Sequence, residues 1–326
     1  MLADKKNLIS AEIPLSLEVK RVQIVTMTNL PLRLGLTLWS HAGWQGRFYP
    51  SGSSAADRLA HYATVFHTVE GNTTFYASPS PQTVNNWRAA THDHFRFTFK
   101  LPKSITHQHQ LVGCQGELKQ FLQLMAPLHQ RIGLWTIQLP ASFSAVHFGH
   151  LQKFCRYFPK DFPLAVEVRH RDYFAKGEEE RRFNQWLIEH GINRIIMDSR
   201  PVFAAEPSNE TIIDAQKKKP KVPVHALATA DNPMIRFIGH PDLTANYAFF
   251  KPWLQKLPQW IAAGKQPYLM IHTPDNFYAP ELAVDLYQQL QTRLRHALLN
   301  ESAANQTVLP DLTAFPAQNS QQMSIF

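Results

Sequence analysis

The sequence predicts an α/β fold, a (β/α)8 TIM-type barrel in a single domain, and three observations support this prediction. Eight short apolar segments rich in β-branched and aromatic residues follow one another along the chain, as buried parallel strands do. Helical patterns fill the intervals, and the segments start every ~30–40 residues, the length of one strand–helix unit. The pattern occupies residues 31–300, a length at which such a barrel forms one domain.

The predicted strands alternate with helices that have recognisable ends. Ser80 and Pro81 begin one helix, as N-cap and first helical residue. Gly191 ends a second helix, and leucines four residues apart, from Leu282 to Leu294, mark the last one. A doubly wound open sheet is the alternative, but no glycine-rich nucleotide-binding turn follows the first strand. The predicted strands are residues 33–39, 67–70, 95–100, 133–138, 164–169, 194–198, 234–238 and 268–272.

Composition narrows the classes of function. Hydrophobic residues make up 44% of the chain, so it is not disordered as a whole. No apolar run of about 18 residues is present, so we expect no membrane span. The only two cysteines, Cys114 and Cys155, cannot form a disulfide scaffold, and a cytoplasmic location is the simpler expectation. The net charge of +8 points weakly towards anionic partners.

Both ends of the chain are predicted to lie outside the barrel. Residues 1–30 form either an unstructured arm or a segment that precedes the natural start, because Met27 comes just before the first strand. Residues 301–326 are rich in Asn, Gln, Ser and Pro, so we predict a flexible tail there.

Polar side chains occur at every predicted strand end, where barrels of this kind carry their chemistry. Glu70 and Glu167 are the predicted general acid and base across the mouth of the barrel, and Asp198 is their predicted catalytic partner. Side chains that can donate hydrogen bonds, carry positive charge or stack are predicted to bind the substrate. These are Trp39, Asn72, Lys100, Gln138, Arg169, Arg200, Arg236, His240 and His272.

The mixture of acids and bases allows more than one interpretation. The arginines match carboxylate or phosphate geometry, which favours a small anionic or sugar-like ligand. The same groups could instead neutralise one another, since Glu167 and Arg169 point to one side of their strand. A divalent metal on Glu70, Glu167, Asp198 and His272 is a less favoured alternative. No compact metal-binding motif is present, so we predict no metal site and the sequence names no cofactor.

Aromatic and basic residues in the loops are open to two interpretations as well. The aromatic residues of the early loops could stack on sugars or bases, or could simply pack. The basic run at residues 217–221 is interpreted as a solvated surface loop that could touch a phosphate backbone. His107 is interpreted as a loop histidine.

Several motifs recur in a fixed order between residues 32 and 299. They include Gly35-Leu36, Trp39-Ser40-His41, Phe48-Tyr49-Pro50, Val69 to Tyr76, Gln138-Leu139-Pro140, Glu167 to His170, Asp198 to Pro201 and Lys218 to His225. On these motifs the chain resembles the "domain of unknown function 72" family, in its YecE-like branch. The resemblance implies a TIM barrel with a deep polar cleft and no assigned activity. The chain departs from many relatives at Gly71, where they carry Leu or Ile, and at residues 272–276, where they carry paired Asn.

The last five residues, Gln322, Met323, Ser324, Ile325 and Phe326, resemble the pentapeptide with which bacterial proteins bind the sliding clamp. The glutamine would hydrogen-bond at the edge of the pocket. The three apolar side chains would enter the groove, at up to ~1.5–3 kcal/mol each. A flexible tail supplies the reach that such a peptide needs.

Three functions are therefore expected from the sequence. The first is an enzyme with acid/base or hydrolytic chemistry on a polar anionic substrate. The second is a DNA-maintenance factor that the sliding clamp recruits and that binds or processes nucleic acid. The third is a non-catalytic barrel that binds a metabolite.

Overall fold

A closed barrel of eight parallel strands confirms the predicted fold class and excludes the open sheet. The computed structural model describes residues 30–300 and 308–318, and for residues 297–300 it describes the backbone alone. Each strand pairs with the next one in sequence, and β8 closes the barrel against β1. The strands are β1 (Arg33–Leu36), β2 (Thr68–Gly71), β3 (Arg96–Lys100), β4 (Ile132–Gln138), β5 (Leu164–Glu167), β6 (Asn193–Asp198), β7 (Met234–Ile238) and β8 (Tyr268–His272).

Helices connect the strands and cover the outside of the barrel. Strand β1 ends at Leu36, before the predicted residue 39. The chain leaves the sheet there because the side-chain amide of Asn72 donates a hydrogen bond to the carbonyl of Thr37 (2.8 Å). The helices are α1 (Ala55–Val65), α2 (Thr73–Tyr76), α3 (Pro81–Ala89), α4 (Gln115–Met125), α5 (Phe148–Cys155), α6 (Glu178–Glu189), α7 (Arg200–Ala204), α8 (Glu210–Lys218), α9 (Asn246–Phe250), α10 (Trp253–Ala262) and α11 (Ala279–Asn300).

The helix ends follow the local sequence. Ser80 caps α3, since its hydroxyl accepts from the backbone N–H of Thr83 (3.1 Å), and Pro81 is the first helical residue as predicted. Helix α6 ends just before Gly191, whose φ of 62° lies in the left-handed region that glycine tolerates. These ends fix where each helix returns the chain to the next strand.

The barrel interior is apolar towards one end and charged towards the other. An apolar cluster fills the part nearer the starts of the strands; its members are Leu134, Ala165, Ile195, Met234, Tyr268 and Met270. Nearer the strand ends, the inward positions carry Glu70, Lys100, Glu167 and Arg236, all buried. Alternate residues of a strand point to opposite faces, so the same strands place their other side chains against the helices.

Residues 308–318 correct the prediction that the whole tail after residue 300 is flexible. Leu309 is buried, and the ring of Phe315 packs 4.9 Å from that of Phe48. The Tyr287 hydroxyl of α11 donates to the carbonyl of Pro310 (3.0 Å). This polar-looking segment carries enough apolar residues to bury a face, so it packs along the barrel between α11 and α1.

Two of the sequence predictions lie outside the described residues. The clamp-like peptide at residues 322–326 and all of the predicted arm at residues 1–30 except the buried Leu30 are not described, so both stay predictions. Within the described part of the chain, no helix is long and apolar enough to cross a membrane.

Candidate functional site at the barrel mouth

A buried arginine joins the two glutamates that the sequence singles out. The Arg236 guanidinium donates from Nε to Glu70 Oε2 (2.7 Å) and from a terminal nitrogen to Glu167 Oε2 (2.8 Å). The three side chains come from β7, β2 and β5, and each is at most 3% exposed. The structure therefore brings the predicted pair together, but across an arginine.

Two further cations hold the outer oxygens of the same glutamates. Lys100 Nζ lies 3.1 Å from Glu70 Oε1. Arg169 donates from Nε (2.8 Å) and from a terminal nitrogen (2.6 Å) to Glu167 Oε1. The result is a continuous ion-pair chain, which we call the mouth array and which consists of Lys100, Glu70, Arg236, Glu167 and Arg169. The predicted ion pair between Glu167 and Arg169 is confirmed.

The mouth array argues against general acid or base roles for the glutamates. Burial alone would raise the pKa of Glu70, but Arg236 and Lys100 outweigh it and hold this pKa below its usual value. Burial acts on Glu167 in the same way, and Arg169 and Arg236 outweigh it, so the pKa of Glu167 is also lowered. Both carboxylates are therefore ionised near neutral pH, and each lies in ion-pair contact with two cations. This arrangement does not favour the predicted acid/base roles, which stay predictions; in the structure the two glutamates hold the cations around them.

Asp198 and Arg200 lie outside the mouth array. The strand register pairs Met197 with Arg236 and Asp198 with Phe237, so Asp198 points away from the barrel interior. Its carboxylate accepts from the indole N–H of Trp253 (2.8 Å) and from Arg200 (2.7 Å). The predicted grouping of Asp198 with the two glutamates is therefore wrong in geometry, and Asp198 fixes α10 and α7 to the end of β6.

His272 presents an unused nitrogen in the barrel interior. Its Nδ1 lies 3.1 Å from the Thr37 hydroxyl, and its Nε2 has no hydrogen-bond partner among the described residues. The side chain is buried, which lowers its pKa well below the usual value, and the charges of Lys219 and Arg236 lower it further. The imidazole is therefore neutral near pH 7.

Two amides at the ends of β2 and β4 have unpaired oxygens as well. Gln138 Oε1 and Asn72 Oδ1 are buried and accept no hydrogen bond from the described residues. Gln138 stands beside Glu167 in the register of β4 and β5, and Asn72 follows β2. Buried polar atoms are usually satisfied, so unpaired ones at a barrel mouth indicate a place for a polar ligand.

Lys219 is a candidate site residue that the sequence interpretation missed. The lysines of the basic run at residues 217–221 have different surroundings. Lys218 pairs with Asp214 in solvent, and Lys221 lies over the Phe203 ring at 5.3 Å. The side chain of Lys219 instead turns towards the mouth array, where it forms no ion pair or hydrogen bond with the described residues. Burial, with the nearby charge of Arg236, lowers the pKa of Lys219 to about 7.

The backbone explains why Lys219 turns inwards. Helix α8 ends at Lys218, and the following residues run past the end of β6, where the Ser199 hydroxyl donates to the carbonyl of Pro220 (2.8 Å). A signal for this position did exist, because the motif from Lys218 to His225 is one of those that carry the family resemblance. The interpretation of residues 217–221 as a solvated run is therefore wrong for Lys219.

Aromatic and imidazole side chains line the rim. His107 packs edge-on against the Phe75 ring (5.0 Å), and burial together with the charge of Arg169 lowers the pKa of His107 to about 4. Tyr76 is 79% exposed beside Phe75, and the half-buried Trp39 contacts Trp87 edge-on at 5.6 Å. The rim therefore offers flat surfaces next to the charged interior.

His240 has a local structural role. Its Nδ1 accepts from the backbone N–H of Asp242 (3.0 Å), and the backbone N–H of His240 donates to Asn246 Oδ1 (2.7 Å). These bonds shape the loop after β7. No contact of His240 with the mouth array is found within the described residues, so its predicted substrate-binding role stays a prediction.

The four residues of the alternative metal site are not arranged as a ligand set. Arginines and a lysine occupy the oxygens of Glu70 and Glu167, and Asp198 faces the helices. In the described parts of the chain, no three His, Cys, Asp or Glu side chains converge as metal ligands would.

Gly71 is explained by a close neighbour. A Cβ atom at this position would lie 2.2 Å from the ring of Phe99 on the adjacent strand. The bulkier residue that many relatives carry there would therefore require a smaller or displaced side chain at position 99. The glycine lets Phe99 fill the space behind β2.

Comparison with known proteins assigns the family. A family model described as "Protein of unknown function DUF72" matches residues 33–307. The UPF0759 protein YecE of Escherichia coli K12 is 46% identical over 293 residues, which cover 90% of this chain and 99% of that protein. The UPF0759 protein YunF of Bacillus subtilis is 26% identical over 195 residues, 55% of this chain and 68% of that protein.

Two solved structures share the fold. A DUF72 family protein from Thermotoga maritima superposes with a TM-score of 0.62 at 24% identity, covering 79% of this chain and 98% of that one. A DUF72 family protein from Enterococcus faecalis gives a TM-score of 0.60 at 22% identity, covering 84% of this chain and 100% of that one. With the family model matched over most of its length, the chain belongs to the DUF72 family and is YecE-like.

Proposed function

We propose that this protein is an enzyme that binds a small anionic compound at the barrel mouth and moves a proton on it. The observation that carries the proposal is the excess of positive charge around unpaired polar atoms. Lys100, Arg169, Arg236 and Lys219 face only two carboxylates, and His272 Nε2 is unpaired beside them. A buried net positive charge is best balanced by an anionic ligand.

The proton-transfer roles go to Lys219 and His272. A group with a pKa of about 7, such as Lys219, can both accept and donate a proton near neutral pH. The neutral His272 can hydrogen-bond to a substrate oxygen through Nε2. The glutamates are poorly suited to the paired-carboxylate mechanism of glycoside hydrolysis, because neither protonates near pH 7. Proton transfer next to a carbonyl group therefore fits the residues better than hydrolysis.

Calorimetric titration with inorganic phosphate and with glycolate, a small hydroxy acid, tests the proposal. Lys219→Met should weaken glycolate binding at pH 6 about tenfold or more, since a hydrogen bond to a charged group contributes about 1.5–3 kcal/mol. Binding to the unaltered protein should weaken as the pH rises through about 7, the pKa of Lys219, while glycolate stays ionised.

The matched control is Lys218→Met, because Lys218 is exposed one residue earlier and pairs with Asp214. It should leave both the affinity and its pH dependence unchanged. Absence of binding of either anion to the unaltered protein would contradict the proposal. Tight binding of a metabolite without any turnover would favour the non-catalytic barrel.

A second proposal concerns the sliding clamp. Residues 308–318 are held against the barrel through Leu309 and Phe315, and Gln318 is exposed. The clamp-like peptide begins at Gln322, only four residues beyond this anchored segment. The anchoring supports presentation of the peptide at one place on the surface, which would couple the barrel to DNA metabolism.

Calorimetry with a purified bacterial sliding clamp tests this second proposal. We expect binding that is lost in the double variant Gln322→Ala/Phe326→Ala, because these residues supply the hydrogen bond and the largest apolar surface. The control Gln318→Ala should bind as the unaltered protein does. Equal heat from all three forms, or none from any, would reject the clamp as a partner.

A further inference from the structure

The unpaired amine of Lys219 has the surroundings of a nucleophile. Its side chain is half-buried, forms no ion pair or hydrogen bond with the described residues, and lies near the cations Arg236 and Lys100. An amine among other cations loses its proton more readily, and only the unprotonated form attacks carbon. Lys219 also acts on His272, since its charge is the largest cause after burial that lowers the pKa of this histidine.

The cations of the mouth array differ in how firmly they are held. Arg236 is fixed by two carboxylates, so its position does not depend on a ligand. Lys100 and Arg169 each pair with one glutamate, and Arg169 remains one-fifth exposed. A carboxylate or phosphate that enters the mouth can therefore pair with Arg169, the most exposed of these cations, or with Lys100, which lies near Lys219.

We propose that Lys219 forms a Schiff base with an anionic carbonyl compound, an oxo acid or a phosphorylated aldehyde or ketone, held at the barrel mouth. This inference rests on the proposed anion-binding function and names its substrate class, and it gives Lys219 the role of nucleophile in place of that of proton carrier. It makes the protein an amine catalyst, in which the iminium group activates the neighbouring carbon for loss of a proton or cleavage of a carbon–carbon bond.

The step balances with groups that the site provides. Lys219 Nζ attacks the carbonyl carbon, a C–N bond forms, and the electron pair of the C=O bond moves to oxygen. The amine loses one proton and the oxygen gains one, which gives a neutral carbinolamine. Uptake of one further proton from solvent lets the hydroxyl leave as water while the nitrogen lone pair forms the C=N bond. His272 Nε2 is the unpaired group that can hydrogen-bond to the departing oxygen.

Reductive trapping tests the inference on the full-length protein. The protein is incubated with glyoxylate and cyanoborohydride, and the modified residue is located by peptide mass spectrometry. We expect one major adduct, on Lys219. Glycolaldehyde, which has similar size but no charge, should label this lysine at least tenfold more slowly.

Two variants separate the amine from the charge. Lys219→Arg keeps a positive charge but cannot form a stable iminium, so it should bind glycolate and lose the adduct. Lys218→Arg, at the neighbouring exposed position, should keep the adduct on Lys219. Glycolate binding without any adduct would overturn the Schiff base and leave the anion-binding proposal standing. Labelling spread evenly over Lys217, Lys218 and Lys219 would overturn it too, and loss of both binding and adduct would reject both proposals.

Discussion

Replacing Arg236 with Met should lower the free energy of unfolding by about 3–5 kcal/mol, the cost of breaking a buried ion pair from one side. Arg236 is the only link between Glu70 and Glu167 in the mouth array, and all three side chains are at most 3% exposed. Its removal leaves one oxygen of each carboxylate without a partner in a region that excludes water. Urea denaturation at pH 7 measures the loss.

Arg169→Met is the matched control for this prediction. It removes a cation from the same Glu167, but Arg169 is 20% exposed and Glu167 keeps its bond to Arg236. The loss should therefore be about 1 kcal/mol, in the range of partly exposed ion pairs. Equal losses of unfolding free energy in the two variants would show that the Arg236 ion pairs stabilise the barrel no more than the Arg169 ion pair does.

The fold was predictable because it depends on patterns that lie along the chain. Short apolar segments at regular spacing identify buried parallel strands, and local signals such as Ser80 and Gly191 identify helix ends. The polar residues at strand ends were predictable for the same reason, since a barrel gathers those ends at one mouth. Glu70, Glu167, Lys100, Arg169 and Arg236 accordingly meet in one array.

The roles within the site were not predictable, because they depend on contacts between distant segments. Strands buried on both faces show no alternation of polar and apolar residues, so nothing in the sequence indicates that Asp198 points outwards. The protonation of Glu70 and Glu167 depends on Arg236, which lies 166 and 69 residues away. Lys219 follows a helix within a run of lysines, where a solvated surface is the usual interpretation.

The segment at residues 308–318 shows that composition alone does not predict whether a segment packs against the barrel. Its polar residues predict a flexible tail, but Leu309 and Phe315 suffice to dock it. The signal for docking was the spacing of apolar residues between prolines, which a composition count conceals. The packing partners, Phe48 and Tyr287, lie near the first and the last residues of the barrel domain in the sequence.

Lowering the pH from 7 to 5 should destabilise the protein by at least about 4 kcal/mol, chiefly through two buried histidines that contribute about 2 kcal/mol each. Burial, with the charge of Arg33, lowers the pKa of His67 from 6.5 to about 3. Burial also lowers the pKa of His272 well below 6.5. As the pH falls through about 6.5, the unfolded chain binds a proton at each histidine while the folded chain does not. This stability is therefore present above pH 6.5 and is lost progressively below it.

His92 and His107, whose pKa values burial also lowers, add a further loss of the same sign in this window. The buried glutamates do not act there. Glu70 and Glu167 have lowered pKa values, so their contribution is present above the usual glutamate pKa and is lost only at more acidic pH. Urea denaturation at pH 7, 6 and 5 measures the slope. His67→Gln keeps a side-chain acceptor for the N–H of Leu34 and should remove about 2 kcal/mol of the pH-dependent loss. The same substitution at the exposed His109 should leave the slope unchanged, and a slope unaffected by His67→Gln would show that this histidine is not held neutral by the fold.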